Sequence, residues 1–181
     1  MKTEIRAATD DDVDRITDIF NQAIPAGDAE WTETLHTVDE RLDWMRGRRA
    51  SGRPVIVAEE YADDDDSDER QVVGVASYGD FRESTCREGF RFVCEHSVYV
   101  DRDAQGTGNA SKLMDELESL ARANGLKRMV ATIDAFNVRS IAFHLRRGFV
   151  EVGRMPDIGF TFDTWRTMVL LQLDLDQPNS G

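Results

Sequence analysis

The stretch of sequence that decides the fold is Ser97-Val98-Tyr99-Val100-Asp101-Arg102-Asp103-Ala104-Gln105-Gly106-Thr107-Gly108-Asn109-Ala110-Ser111. Its first four residues favour a β-strand, and its two glycines predict a tight turn. A helix follows over Gly108–Asn124, because apolar residues recur there at helical spacing. Gly125 stands where a C-terminal glycine cap belongs. The stretch therefore predicts a strand, a turn and a helix in succession.

A turn of this kind, between a strand and a helix, is a candidate anion-binding site. Unpaired N–H groups of the first helical turn point outward, and the helix dipole adds positive potential. The small residues Gly106, Gly108, Ala110 and Ser111 allow a ligand to approach the backbone. The alternative is a tight connection that binds nothing. The stretch lacks the third glycine of a Rossmann fingerprint and the lysine of a Walker A loop, so it matches neither motif.

Outward from this turn, the patterns predict a mixed sheet carrying helices, which is an α/β or α+β domain. The predicted strands are Thr3–Ala8, Val55–Glu60, Gln71–Asp80, Phe92–Val100, Lys127–Ile133, Phe149–Met155 and Thr164–Leu175. Besides Gly108–Asn124, the predicted helices begin near Thr9, at the capping box Thr37-Val38-Asp39-Glu40, and at Val138 in the segment Val138–Arg147.

The composition fits a single domain over residues 1–181. Lysine and arginine total 22 against 35 acidic residues, so the formal net charge is −13. This charge argues against nucleic acids and anionic membranes as partners, because both bind basic surfaces. The N-terminus lacks a secretory signal, and no apolar run approaches the ~20 residues that span a bilayer.

Cysteine and acidic residues give two further expectations. Cys86 and Cys94 predict two reduced thiols in a cytoplasmic protein, although a disulfide between them is conceivable. Residues 61–70 contain the densest acidic run and are predicted to form a hairpin loop. The acidity is typical of a solvated loop with charged helix faces. A sharper hypothesis is adaptation to high salt, where screening shortens the reach of self-repulsion.

The motif Gln105-x-x-Gly108-x-Ala110 resembles the Gln/Arg-x-x-Gly-x-Gly/Ala signature of the GNAT superfamily of N-acetyltransferases. The segments that resemble its phosphinothricin acetyltransferase branch are Pro54–Glu59, Glu95–Val100, Asn137–Phe149 and Gln172–Leu175. This resemblance runs from Ile5 to about Leu175. It implies a mixed, mostly antiparallel central sheet of about seven strands flanked by about four helices. It also implies acetyl-CoA as co-substrate, no metal, and a homodimer.

The resemblance also implies which residues bind acetyl-CoA. The turn would hold the pyrophosphate, and the backbone of the preceding strand would pair with the pantetheine arm and polarise the thioester carbonyl. Asn137 would add a hydrogen bond, although it is also placed to cap its helix. The implied cofactor-binding residues are Val98, Tyr99, Val100, Gln105, Gly106, Thr107, Gly108, Asn109, Ala110, Ser111, Asn137 and Ser140.

Transfer of an acetyl group to an amine requires a base, because only the neutral amine attacks. A lysine-like amine with a pKa near ~10.4 costs about 4–5 kcal/mol to deprotonate at pH 7. Alternation places Glu95, Ser97 and Tyr99 on one face of their strand and His96 on the other. The resemblance assigns substrate binding and base catalysis to Glu95. The alternative is a glutamate that forms an ion pair at a strand end.

Further candidate residues surround this base. His144 stands where many superfamily members have a tyrosine that protonates the leaving thiolate, or else it is a buried helix histidine. Arg82 is suited to binding an amino-acid carboxylate, or else it is a surface arginine. Cys94 points away from Glu95 and lacks a triad pattern, which argues against a nucleophile. The candidate substrate-binding residues are Arg82, Glu95, His96, Ser97 and Trp165, whereas Trp31 and Trp44 are predicted to pack.

The sequence thus predicts an enzyme that moves acetyl from acetyl-CoA to the primary amine of a small amino-acid-like acceptor, of the phosphinothricin or methionine sulfoximine type. Transfer is direct, with Glu95 as base and His144 as the second catalytic candidate. Two alternatives stay open at this point. One is a protein or peptide amine acetyltransferase, and the other is a non-catalytic acetyl-CoA-binding module.

Overall fold

Strands and helices occupy nearly the predicted segments in a computed structural model, which describes residues 1–25, 27, 29–62, 70–82 and 88–176. The strands are β1 Lys2–Ala7, β2 Val55–Tyr61, β3 Arg70–Asp80, β4 Val93–Val100, β5 Arg128–Asp134, β6 Val150–Thr161 and β7 Thr164–Asp174. The helices are α1 Val13–Ala23, α2 Val38–Ala50, α3 Asn109–Ala123 and α4 Val138–Arg146. Short 3₁₀ helices lie at Asp10–Asp12, Glu88–Phe90 and Arg102–Ala104.

The strands form one sheet in the order β1-β2-β3-β4-β5-β7-β6. β1 with β2, β2 with β3, β5 with β7, and β6 with β7 are antiparallel pairs, whereas β4 and β5 are parallel. The paired stretch of β4 and β5 runs from Val93↔Arg128 to Glu95↔Val130. This arrangement confirms the predicted mixed sheet of seven strands.

Backbone contacts group the chain into two compact units. The first unit comprises the described residues of Met1–Gln22, His36–Tyr78 and Ser97–Leu120. The second comprises those of Ala23–Leu35, Gly79–His96 and Ala121–Gly181. β4 is therefore divided after His96, and each unit has its own buried apolar residues.

The first unit is built on the amphipathic helix α1. Ile16, Ile19 and Phe20 are spaced to share one helix face, and all three are buried against Val57 and Val75 of the sheet. The predicted capping box of α2 is present. The backbone N–H of Glu40 donates to Thr37 Oγ1 at 3.2 Å, and the Thr37 N–H donates to Glu40 Oε2 at 2.9 Å.

The second unit contains the edge strand β6, whose predicted length was wrong. The predicted strand ended at Met155, one residue before Pro156. In the structure β6 continues to Thr161, with irregular pairing to β7 between Met155 and Gly159. An edge strand tolerates proline because one side of it has no partner strand. Phe162 and Asp163, with φ of 49° and 53°, then turn the chain into β7.

Other expectations meet the structure only in part. Tyr61 pairs with Arg70, so β2 and β3 form the predicted hairpin, but residues 63–69 of its loop lie outside the described residues. Cys94 is buried, with its Sγ 3.6 Å from the Arg128 carbonyl oxygen, whereas Cys86 lies outside the described residues. Within the described chain, no helix is long and apolar enough to cross a membrane. The same residues contain no metal-binding cluster.

Candidate active site

The predicted anion-binding turn is present in the first unit. Gly106 and Gly108 have φ of 82° and 91°, backbone conformations that other residues rarely adopt. A Cβ built on either glycine meets no atom within 4 Å. The four residues before α3 are exposed, and α3 begins directly after them at Asn109. The turn therefore presents an open backbone surface beside a helix N-terminus, which suits a pyrophosphate.

Buried polar side chains hold this turn in place from both ends. Asp101 accepts hydrogen bonds from Gln22 Nε2 at 2.9 Å and from the Asp103 N–H at 2.8 Å, and it pairs with Arg15. Burial alone raises the pKa of Asp101, but these hydrogen bonds outweigh it and lower that pKa below its usual value. Asp101 therefore stays charged, and it fixes the start of the turn.

At the other end, the Asn109 side chain is 1% exposed. Its Nδ2 donates to Glu60 Oε1 at 2.8 Å, and its Oδ1 accepts from Thr3 Oγ1 at 3.0 Å. The Asn109 side chain thus ties α3 to β1 and β2. The predicted contact of Asn109 with acetyl-CoA would therefore come from its backbone.

The predicted base, Glu95, lies in the second unit, at the last position where β4 pairs with β5. The Thr132 hydroxyl donates to Glu95 Oε1 at 2.5 Å. No cationic side chain among the described residues forms an ion pair with Glu95, which removes the support for a strand-end ion pair. One carboxylate oxygen is engaged by Thr132, and Glu95 is only partly buried, so an amine can reach it.

A second carboxylate, that of Asp134, lies on the face of β5 that carries Thr132. Thr132 and Asp134 are two residues apart in a strand, so their side chains share a face. Asp134 is 3% exposed and accepts from the Trp31 indole N–H and the Phe136 N–H, both at 2.8 Å. Arg166 approaches the same carboxylate at 3.5 Å. The sequence analysis missed Asp134 and Arg166, and it placed Trp31 only as a packing residue.

The opposite face of β4 carries His96, and the His144 ring of α4 packs beside it. His96 is buried, and neither of its ring nitrogens has a hydrogen-bond partner among the residues that the structure describes. Its ring lies 5.1 Å from the His144 ring and 5.6 Å from the Phe149 ring. His144 Nδ1 lies 2.7 Å from the Ser140 carbonyl oxygen, which fixes the proton on Nδ1. The substrate role of His96 and the acid role of His144 stay predictions.

The burial of His96 predicts a pH-dependent loss of stability. Burial, with His144 and Arg147 nearby, lowers the pKa of His96 well below 6.5. Below about pH 6.5 the unfolded chain therefore binds a proton at His96 that the folded chain does not. Stability should fall as pH falls, by about 1.4 kcal/mol per pH unit for this group. Urea unfolding should show a shallower fall in His96→Leu, and an unchanged fall would contradict this role.

The remaining predicted site residues are dispersed. Arg82 is exposed, with its guanidinium 5.6 Å and 5.7 Å from the Phe81 and Phe90 ring centroids. Trp165 is 59% exposed and packs edge-on against Phe160, on the face of β7 opposite to Arg166. Asn137 is the N-cap of α4, because its side chain accepts from the Ser140 N–H at 3.1 Å. This cap confirms the simpler expectation for Asn137.

Comparisons with known proteins agree with this fold and this turn. The model of the acetyltransferase (GNAT) family matches residues 14–149. A solved acetyltransferase of Salmonella typhimurium, with its cofactor acetyl-CoA, is 38% identical and has a TM-score of 0.86. The match covers 97% of this chain and 95% of that chain. The chain therefore belongs to the GNAT acetyltransferase family, and it is an acetyl-CoA-dependent N-acetyltransferase.

Two curated relatives have names that specify a substrate. The L-methionine sulfoximine/L-methionine sulfone acetyltransferase of Pseudomonas paraeruginosa is 39% identical over 181 residues, 100% of this chain and 99% of the relative. The phosphinothricin N-acetyltransferase of Alcaligenes faecalis is 30% identical over 177 residues, 95% of this chain and 82% of the relative. The predicted family and branch are confirmed by these matches.

Proposed function

We propose that this chain transfers an acetyl group from acetyl-CoA to the primary amine of a small amino-acid-like acceptor. The observation that carries this proposal is the partly buried Glu95 carboxylate, oriented by Thr132 and free of a cationic partner among the described residues. The named substrates of the two relatives, methionine sulfoximine or sulfone and phosphinothricin, support an acceptor of this class.

In the proposed reaction Glu95 accepts a proton from the acceptor's ammonium group. The neutral amine then attacks the thioester carbonyl carbon, which forms a C–N bond and a tetrahedral oxyanion. A backbone N–H of the β4 segment Val98–Val100 stabilises that oxyanion. When the carbonyl re-forms, the C–S bond breaks and the thiolate of coenzyme A leaves. The thiolate takes a proton from the nitrogen of the new amide through water. Alternatively, His144 donates the proton to the thiolate, and the amide nitrogen releases its own extra proton to water.

An acceptor screen tests the proposal. Release of free thiol from acetyl-CoA is measured with single amino acids, with methionine sulfone and phosphinothricin, and with peptides that have free amines. Release with the small acceptors alone is expected. Release with peptides alone would favour the protein acetyltransferase instead. Binding of acetyl-CoA without release for any amine would indicate a non-catalytic module.

Arg82 is proposed to bind the acceptor carboxylate, because it is exposed and forms no ion pair with another described residue. Arg82→Ala should raise the KM for an amino-acid acceptor by about 10–100-fold, since a hydrogen bond to a charged group is lost. Its affinity for acetyl-CoA should stay unchanged. The matched control is Arg146→Ala, on the exposed side of α4. Equal kinetics in both variants would place Arg82 outside the acceptor site.

We propose that the chain forms a homodimer through the β6–β7 hairpin of the second unit. β6 is an edge strand, and the β6–β7 hairpin exposes an unusual number of large apolar side chains. They are Val150, Val152, Met155, Ile158, Phe160, Phe162 and Trp165, each at least 41% exposed. An exposed apolar edge is suited to a second copy of the chain. Sedimentation should therefore give twice the chain mass of 20.5 kDa.

Two further properties stay proposals. A cytoplasmic location, where thiols remain reduced, is proposed from the cysteine content of the sequence, which is limited to Cys86 and Cys94. The net charge of −13 supports adaptation to high salt. Unfolding measured at low and at molar potassium chloride tests the second, because equal stability in both would argue against it.

A further inference from the structure

A short segment of the second unit lies across the sheet face that carries Glu95. We define the strap as Gly27 together with residues 29–33, which belong to the connection between α1 and α2. Its Glu33 carboxylate accepts from the Phe162 N–H at 2.7 Å, at the tip of the β6–β7 hairpin. Its Trp31 side chain donates to Asp134 at 2.8 Å, at the end of β5. The strap is therefore attached to both sides of β7.

The Trp31 ring lies directly against the backbone of β6. A Cβ built on Gly159 would stand 2.6 Å from Trp31 Cε3, so only glycine permits this approach. Gly159 pairs with Arg166 across β6 and β7, and opposite residues of antiparallel strands share a face. Trp31, Gly159 and Arg166 therefore lie on one face. Asp134 joins them, because it contacts both Trp31 and Arg166.

This face is also the face of the base. Glu95 receives its hydrogen bond from Thr132, and Asp134 follows Thr132 by two residues on the same face of β5. That spacing is about 7 Å along a strand. An acceptor amine must lie within hydrogen-bond distance of Glu95 to lose its proton. A side chain as long as that of methionine, extending from such an amine along β5, is long enough to cover this spacing toward Asp134 and the Trp31 ring that contacts it.

The electrostatics of the face favour a neutral side chain at this position. The Asp134 charge is compensated by two N–H donors and by Arg166. Arg166 itself is 8% exposed, and its guanidinium lies 5.5 Å from the Phe136 ring centroid. The acceptor therefore meets the indole ring rather than an exposed charge. An aromatic wall gains contact area with methylene groups and offers no counterion to an acidic side chain.

We propose that Trp31 is a specificity-determining residue for the acceptor side chain, and that Asp134 is the positioning residue that fixes its indole. This inference rests on the proposed function and narrows the acceptor to amino acids with a long, uncharged side chain. Methionine sulfone belongs to that class, whereas glutamate and alanine do not.

The first test removes the ring. Trp31→Ala should lower kcat/KM for methionine sulfone by about tenfold or more, because methylene contacts in the pocket are lost. The kcat/KM for alanine should change little, so the preference for the long acceptor collapses. Affinity for acetyl-CoA should be unaffected. Trp44 lies in the first unit, so Trp44→Phe and Trp44→Ala are controls for the loss of a tryptophan that does not contact the acceptor.

The second test separates the positioning role from a general loss of stability. Trp31→Phe removes the indole N–H donor, and Asp134→Asn leaves one oxygen to accept from the two N–H donors of Trp31 and Phe136. Each variant should raise the KM for methionine sulfone. The double variant should be no worse than the poorer single variant, because both act through one contact. Asp174→Asn is the matched control, since Asp174 pairs with Arg128 at the opposite end of β5. If Asp134→Asn fails to fold, Trp31→Ala and Trp31→Phe still decide whether Trp31 determines specificity for the acceptor side chain.

An independent readout needs no turnover. The chain has 3 tryptophans, so its indole N–H signals are few in an amide-correlation NMR spectrum. The signal absent from Trp31→Phe belongs to Trp31, and in Asp134→Asn it should shift and exchange faster with water.

Two outcomes would overturn the inference: equal selectivity in wild type and Trp31→Ala, or an unchanged Trp31 signal in Asp134→Asn. Failure of the proposed function is distinguishable, because the wild type itself would then acetylate no amino acid.

Discussion

Replacing Glu95 with glutamine should lower kcat/KM by about 10²–10⁴-fold, because glutamine keeps the shape of the side chain but cannot accept the amine proton. The Thr132 hydroxyl can still donate to the amide oxygen, so the strand pairing at this position is preserved. Acetyl-CoA should still raise the melting temperature of the variant, because the turn that binds it is intact. The fall in rate of the wild type at low pH should disappear or move in the variant.

Glu116→Gln, an exposed glutamate on α3, provides the matched control for this substitution. Thiol release against pH, recorded beside a melting curve, separates a base from a scaffold residue. A scaffold residue predicts a lower melting temperature with a modest kinetic loss. Full activity of Glu95→Gln would eliminate Glu95 as the base and leave bound water or His144 as the next candidates.

Replacing Gly108 with valine should abolish the rise in melting temperature that acetyl-CoA causes in the wild type. The Cβ of residue 108 would project from the open surface of the turn, where no protein atom lies within 4 Å. A branched side chain there would occupy the space proposed for the pyrophosphate. Thermal unfolding with and without acetyl-CoA is the measurement, and the variant should behave as the wild type does without ligand.

The positive φ of Gly108 makes a control necessary, because valine is strained at 91° whether or not a ligand binds. Gly125 has φ of 75°, has open space around its Cβ, and follows α3 at its other end. Gly125→Val should therefore lose stability and keep the shift caused by acetyl-CoA. Normal binding by a folded Gly108→Val variant would show that the turn is not the cofactor site.

The turn was predictable because it depends on local sequence, whereas the role of Glu95 as base rests on the family resemblance and stays a proposal. Gly106 and Gly108 follow a strand and precede a helix within a few residues, so their conformation and exposure could be inferred directly. The face of Glu95 followed from alternation along β4. The hydrogen bond from Thr132 was not predictable, because it depends on the parallel pairing of β4 with β5.

The strap was not predictable for the same reason. Trp31 and Asp134 are 103 residues apart, and nothing near either residue indicates the other. Nothing in the sequence around Gly159 indicates the indole that packs on it. The second half of β6, which follows Met155 and contains Pro156 and Gly159, was not predicted. Residues that meet only through tertiary structure escaped the sequence analysis, whereas residues that act within one element did not.

The most direct test of the central claim is a stoichiometric assay of one reaction mixture. Purified wild-type protein is incubated with acetyl-CoA and methionine sulfone, free thiol is titrated, and the acceptor is analysed by mass spectrometry. The proposed function predicts one N-acetylated acceptor for each thiol released, with both products forming about 10²–10⁴-fold more slowly in Glu95→Gln at the same protein concentration. Thiol release that is independent of the amino acid, or an acceptor recovered unmodified, would contradict it.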